Sequence, residues 1–207
     1  MNTILKITAL SLILVLTSCK KETKTEEPKE KVIEMTTPFG TMYLWLFKET
    51  PLHRANFLKL ADEGFYNNTT FHRIIPNFMI QGGDPNSKDA DPNNDGSGGP
   101  GYTIPAEIKA NITHDKGRLA AARTANPAKA SSGSQFYIVA DKNGTKSLNG
   151  EYTVYGEVFS GLNVIDSIVK QKRNANDRPN TDIKMQVKVI EKSLSELKST
   201  YNYTPTF

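Results

Sequence analysis

Apolar residues recur at every second position in several short stretches of this chain. In Thr41–Phe47, Met42, Leu44 and Leu46 fall on one side and Tyr43, Trp45 and Phe47 on the other. That is the period a strand imposes. Both sides are apolar, so the strand must be covered on both, and a barrel with helices packed outside it meets that demand. Val32–Thr36 precedes it across Pro38-Phe39-Gly40, a hairpin-type connection. Strands are also predicted over Phe71–Ile75, Gly117–Arg123, Ser134–Ala140, Tyr152–Phe159 and Ile183–Ile190. In Ser134–Ala140, Gln135, Tyr137 and Val139 share one face and Phe136 and Ile138 the other. In the last strand Ile183, Met185, Val187 and Val189 lie together.

Two stretches read as helix. Thr50 as N-cap, Pro51 in the first turn and Gly64 as a stop frame the first, with Leu52, Ala55, Leu58 and Ala61 as its buried stripe. Leu162–Val169 is the second, with Leu162, Ile165, Ile168 and Val169 inward. The helices come early and late, so no βαβ alternation is present. Eight or so strands with two helices predict an all-β-dominated chain, a closed antiparallel β-barrel. So small a barrel is filled by its own side chains, which puts any site on its outside.

The chain begins differently. Lys6 is followed by an apolar run to Leu16, too short to span a bilayer and of signal-peptide length. It ends in Leu16-Thr17-Ser18-Cys19, which resembles the lipobox of bacterial lipoproteins. Cys19 is the only cysteine, so no disulfide can form within the chain. Lys20–Lys31 holds five lysines and four glutamates and no large apolar residue. It reads as a flexible tether with a reach of about 20 Å. The expected organisation is a signal peptide over 1–18, lipidated Cys19 and tether over 19–31, a folded domain over 32–192, and a C-terminal tail over 193–207 with weak signals.

The net charge of +4 comes from interspersed residues, so no nucleic-acid footprint is expected. Asp91-Pro92-Asn93-Asn94-Asp95-Gly96 fits the opening of a calcium loop, but Tyr102 stands where the bidentate Glu belongs. Turn chemistry is the plainer reading. His53, His72 and His114 show no ligand spacing. His53 and His114 read as structural or surface residues, and His72 as a possible neighbour of the site.

Phe71-His-Arg-Ile-Ile-Pro-Asn-Phe-Met-Ile-Gln-Gly-Gly-Asp84 sets one arginine, Arg73, among apolar and aromatic residues. With Gly133-Ser134-Gln135-Phe136-Tyr137-Ile138, and more loosely from Lys31 to Glu191, it resembles the cyclophilin-type peptidyl-prolyl cis–trans isomerases. The resemblance implies an eight-stranded barrel capped by two helices, no cofactor and no metal. It implies Arg73 as the catalytic donor and Phe78, Met79, Tyr137 and Leu148 as the proline pocket. Gln81 and Gln135 would bind backbone or orient Arg73, Ala122 and Arg123 would flank the residue before proline, and Tyr152 would line the rim. Three departures stand out. Tyr137 brings a hydroxyl where Phe is usual, Asn77 replaces a common Gly, and Ser147 falls where cyclosporin-binding members carry a tryptophan. The expected partners are proline-containing polypeptides and, through the lipid, a membrane, the outer membrane of a bacterial envelope; the expected state is a monomer. A binding module without useful turnover is the rival reading.

Overall fold

The computed structural model describes residues 27–207. The apolar run, Cys19 and most of the tether lie outside the described residues. The strands are β1 (Lys29–Thr37), β2 (Gly40–Leu46), β3 (Arg73–Ile75), β4 (Met79–Gly82), β5 (Thr103–Ile104), β6 (Arg118–Ala121), β7 (Ser131–Ser132), β8 (Phe136–Val139), β9 (Val154–Ser160) and β10 (Gln186–Ser193). The helices are α1 (Pro51–Asp62), α2 (Leu162–Val169) and α3 (Leu194–Tyr201). Eight strands form one antiparallel sheet in the order β10-β1-β2-β9-β6-β8-β4-β3, and the short β5 and β7 pair separately. The end strands β3 and β10 share no ladder. The segments before them meet at a single antiparallel bridge, Thr70 with Lys184, flanked by Phe71 N to Ile183 O (3.0 Å) and Met185 N to Thr69 O (2.9 Å).

Period-two patterning sorts each strand between two apolar clusters. Inward residues Ile33, Met35, Leu44, Leu46, Ile80, Leu119, Phe136 and Ile138 form the main core with α1 and α2. Outward residues Trp45, Phe47, Met79, Ala120, Tyr137, Val139 and Val154 form a second cluster. The covering of that outer face differs from expectation. The outer side of β2 is covered by α3 and the segment after it, in the tail to which the sequence reading assigned no element. Tyr201 packs on Tyr43, Tyr203 on Phe159 and Trp45, and Phe207 on Phe47, while the Trp45 indole N–H donates to Phe207 O at 2.8 Å. A capping box starts α3: Ser193 Oγ accepts from Glu196 N, and the Glu196 carboxylate accepts from Ser193 N.

The charged stretch before Val32 also differs. Lys29, Glu30 and Lys31 pair with Ser193, Lys192 and Glu191 in the ladder. Backbone bonds and the Glu30–Lys48 contact at 2.6 Å order them, with no need to bury apolar surface.

In α1 the buried side chains are His53, Phe57, Leu58, Leu60 and Ala61, and Leu52 is half exposed. The cause is distant in sequence. The Glu107 carboxylate accepts from Leu52 N (3.0 Å), His53 N (2.9 Å) and His53 Nδ1 (2.7 Å), and so caps the helix in place of Thr50. An anion at a helix N-terminus satisfies its free N–H groups and its dipole. In α2 the buried set is Val164, Ile165 and Ile168; Leu162 turns toward solvent and Val169 is only partly buried.

Candidate active site

Register builds the site. Across β3, β4, β8 and β6, Arg73 lies opposite Gln81, Gln81 opposite Tyr137, and Tyr137 opposite Ala120. Direct cross-strand partners share a face, so one row carries the guanidinium, an amide and an aromatic ring to the outside of the sheet. Met79, two residues before Gln81, joins the same face. Asn77 turns the chain between β3 and β4 at φ +55°, a left-handed conformation that asparagine tolerates. That accounts for asparagine where glycine is common. Gly83, at φ +85°, ends the motif where a Cβ would strike Ser134 O and the Phe136 ring.

The result is a pocket of about 220 Å³ lined by Arg73, Phe78, Met79, Gln81, Ala122, Arg123, Tyr137, Leu148 and Tyr152. These nine positions were all singled out in the sequence. The tenth, Gln135, sits apart from this pocket. It lines an adjoining groove of about 670 Å³ with Gly96, Gly98, Gly99, Tyr102 and Ser132. From there it joins a relay. Arg73 Nη1 approaches Gln81 Oε1 at 3.5 Å, Gln81 Nε2 donates to Gln135 Oε1 at 3.1 Å, and Gln135 Nε2 donates to the carbonyls of Gly96 (2.9 Å) and Gly98 (2.8 Å). The glycine-rich loop thus fixes two amides whose far end faces Arg73.

Arg123, like Gln81 and Ala122, lines both cavities. Its guanidinium lies 4.6 Å from the Tyr152 ring centroid and donates to Glu151 O (3.1 Å) and Glu151 Oε2 (3.3 Å). Lys129 reaches the same carboxylate at 2.8 Å. Glu151 therefore ties together the loops on either side of the site, although no sequence pattern marked it.

The Tyr137 hydroxyl has a partner. It lies 2.9 Å from His114 Nε2, and burial pushes the phenol's pKa well above its ordinary value. His114 is only 1% exposed, and its ring stacks against Tyr137. A buried phenol needs a hydrogen-bond partner, and that need was the available signal for His114. His72 is likewise buried, close to where a Cβ on Gly96 would stand, and burial lowers its pKa. In the Asp91–Asp95 loop, Asp91 Oδ1 accepts from Asn93 N (3.0 Å) and Asn93 Nδ2 (2.8 Å), and Asp95 pairs with Arg178 at 2.7 Å. These are turn and ion-pair roles, and no acidic or histidine cluster suited to a metal ion occurs among the described residues.

Residues 32–189 match the family model described as cyclophilin type peptidyl-prolyl cis-trans isomerase/CLD. The chain is 49% identical over 109 residues to peptidyl-prolyl cis-trans isomerase B of Bacillus subtilis, covering 52% of this chain and 68% of that protein. It is 33% identical over 174 residues to a peptidyl-prolyl cis-trans isomerase of Acinetobacter baylyi, covering 81% and 87%. A cyclophilin-type isomerase of Cryptosporidium parvum, solved in the presence of the dipeptide Ala-Pro, superposes with a TM-score of 0.68 at 29% identity, over 78% of this chain and 99% of that one.

Proposed function

We infer how this chain, which belongs to the cyclophilin-type peptidyl-prolyl cis–trans isomerase family and isomerises X–Pro bonds, uses its pocket and where it acts. The X–Pro barrier of about 18–20 kcal/mol reflects double-bond character in the amide C–N bond. A donor near the prolyl nitrogen stabilises the lone pair that appears as conjugation is lost. Arg73 is that donor, because a guanidinium stays charged and presents a planar fork. Phe78, Met79, Tyr137 and Leu148 hold the proline ring, and the Gln81–Gln135 relay orients the guanidinium. An acceleration of about 10⁵ requires roughly 7 kcal/mol of preferential binding to the twisted state. No proton transfer or nucleophile is needed.

The observation that carries this reading is that nine residues named by the resemblance, Arg73 among them, line one pocket. The Ala-Pro dipeptide used with the Cryptosporidium relative supports proline-containing segments as the substrate class. Arg73→Ala should lower kcat/KM by about 10²–10³ while Tm stays close to that of the natural chain, because the side chain stands outside the main core. Arg73→Lys should restore little. Full activity in a folded Arg73→Ala protein would overturn the assignment.

The sheet closes into a barrel on this reading, with the Thr70–Lys184 bridge as its seam. The domain works as a monomer outside the cytoplasm and assists the folding of envelope proteins. It is held at a membrane, the outer one, by lipid on Cys19. The support is the apolar run, the Leu16–Cys19 motif and the charged stretch that follows. Each buried CH₂ contributes about 0.8 kcal/mol, so several acyl chains would anchor it stably. Cys19→Ala should move the protein from the membrane fraction to the soluble or uncleaved pool. Unchanged partitioning and processing would rule lipidation out.

A further inference from the structure

Leu148 is a pocket wall that no strand carries. It sits in a short helical turn over Lys146–Leu148, within the loop from Asp141 to Gly150. One residue outside that loop holds it at two points. The His114 carbonyl accepts from Thr145 N at 2.7 Å. Gly144, at φ +75°, permits this approach, since a Cβ there would lie 2.6 Å from His114 O. At the other end, Asn149 Oδ1 accepts from both the backbone N of His114 (2.9 Å) and its Nδ1 (2.9 Å). Leu148 lies between these two ties.

The same bonds determine where the ring proton sits. A backbone N–H can only donate, so the Asn149 atom it meets is the carbonyl oxygen and not the amide nitrogen. That oxygen can only accept, so Nδ1 must carry a proton. A neutral ring then has a bare Nε2, and the Tyr137 hydroxyl, 2.9 Å away, donates to it. The His114 and Tyr137 rings are nearly parallel, 10° apart, with centroids separated by 6.0 Å. Burial opposes protonation and lowers the His114 pKa, while Asn149 and the neighbouring Asp115 favour it more weakly. The chain of donors runs from Tyr137 on β8, through His114, to Asn149 beside Leu148.

We propose that His114 is the positioning residue of the proline pocket, a neutral imidazole protonated on Nδ1 that couples the Tyr137 floor to the Leu148 wall. This rests on the assignment of the Arg73 pocket as the isomerase site. His114 touches no substrate. Its effect is to hold two surfaces at the spacing a proline ring needs, so its loss weakens substrate binding more than turnover.

The two arms can be cut separately. Asparagine places an amide near the position of Nδ1 and can keep the tie to Asn149. Glutamine reaches the position of Nε2 and can keep the tie to Tyr137. His114→Ala should raise KM for a proline peptide about tenfold with kcat nearly unchanged. His114→Asn should recover most of that loss, and His114→Gln less. Tyr137→Phe should cost about twofold in the natural chain and nothing further beside His114→Ala, the signature of a shared interaction. Nitrogen-15 resonances of His114 near neutral pH should show Nδ1 protonated and Nε2 bare. An Nε2–H tautomer, an imidazolium, or an unchanged KM in folded His114→Ala would overturn the proposal. If that variant does not fold, the tautomer and His114→Asn decide it. Arg73→Ala separates the two levels: loss of activity there with an unchanged KM in His114→Ala refutes the coupling alone, while retained activity there refutes the site.

Discussion

The inner and outer faces of the same strands are both apolar, and they differ in how they are covered. Phe136 and Ile138 point inward from β8 and are fully buried by the other strands and by α1 and α2. Tyr137 and Val139 point outward from the same strand into a cluster shared with Trp45, Phe47 and Met79. That cluster is covered at one end by α3 and the residues after it, and is open at the other, where the pocket lies. A face sealed on all sides can contribute only stability. A face sealed in part keeps apolar surface for a ligand and lends the site the rigidity of the strands beneath it.

The difference can be tested by cutting each face in turn. Phe136→Ala should have the largest effect, a loss of about 3–5 kcal/mol in a denaturant titration, because it removes a ring that meets Phe57, Tyr66 and Phe71 edge-on. Activity should then disappear only by unfolding, with kcat/KM per folded molecule little changed.

On the open face, Ser147→Trp should strengthen cyclosporin inhibition by about thirtyfold or more, roughly 2 kcal/mol, with stability unaffected. Ser147 is exposed and adjoins Leu148, so the indole would add contact area and an N–H donor beside the proline wall. Tight inhibition of the natural chain would refute the placement of Ser147.

Trp45→Phe tests the covered end. It removes the indole bond to Phe207 and should cost about 0.5–1.5 kcal/mol without altering kcat/KM. A matching loss of activity would show that the two ends of the outer cluster are coupled.

Acid is the mildest perturbation, since it removes no atom. Burial lowers the pKa of His53, His72 and His114 in the fold. The unfolded chain therefore binds protons first, from about pH 6.5 downward. The stability these groups contribute is present above that value and is lost as pH falls toward their folded values. Tm should be lower at about pH 5 than at about pH 7.5. His114→Asn should reduce that drop, and an equal drop in this variant would remove His114 from the account.

What was legible in the sequence was what is local. Alternation sorts Leu44 from Trp45 in β2 and Phe136 from Tyr137 in β8 because a strand's period needs no distant partner. The family resemblance named ten site residues, and nine of them line one pocket. What was misread depends on remote contacts. The α1 stripe was misplaced because His53 is buried by Glu107 and Ser131, which come from later loops. The tail looked featureless because Tyr201, Tyr203 and Phe207 follow no period; each fills a gap on another element. Ser193-Leu-Ser-Glu196 fits the capping-box pattern and is the local signal within the tail.

The ladder between β1 and β10 joins Lys29 to Ser193 and Thr36 to Gln186. Its partners are separated by almost the whole domain, so this pairing closes the longest loop in the fold and is slow to form. During synthesis β1 can pair with β2 at once, but its other edge must wait for β10. Lys29, Lys31 and Glu34 stand along that waiting strand. Charges on a free edge discourage a neighbouring chain from adding a strand. The residues that look like the end of a flexible tether thus also guard a half-made sheet against aggregation until its proper partner arrives.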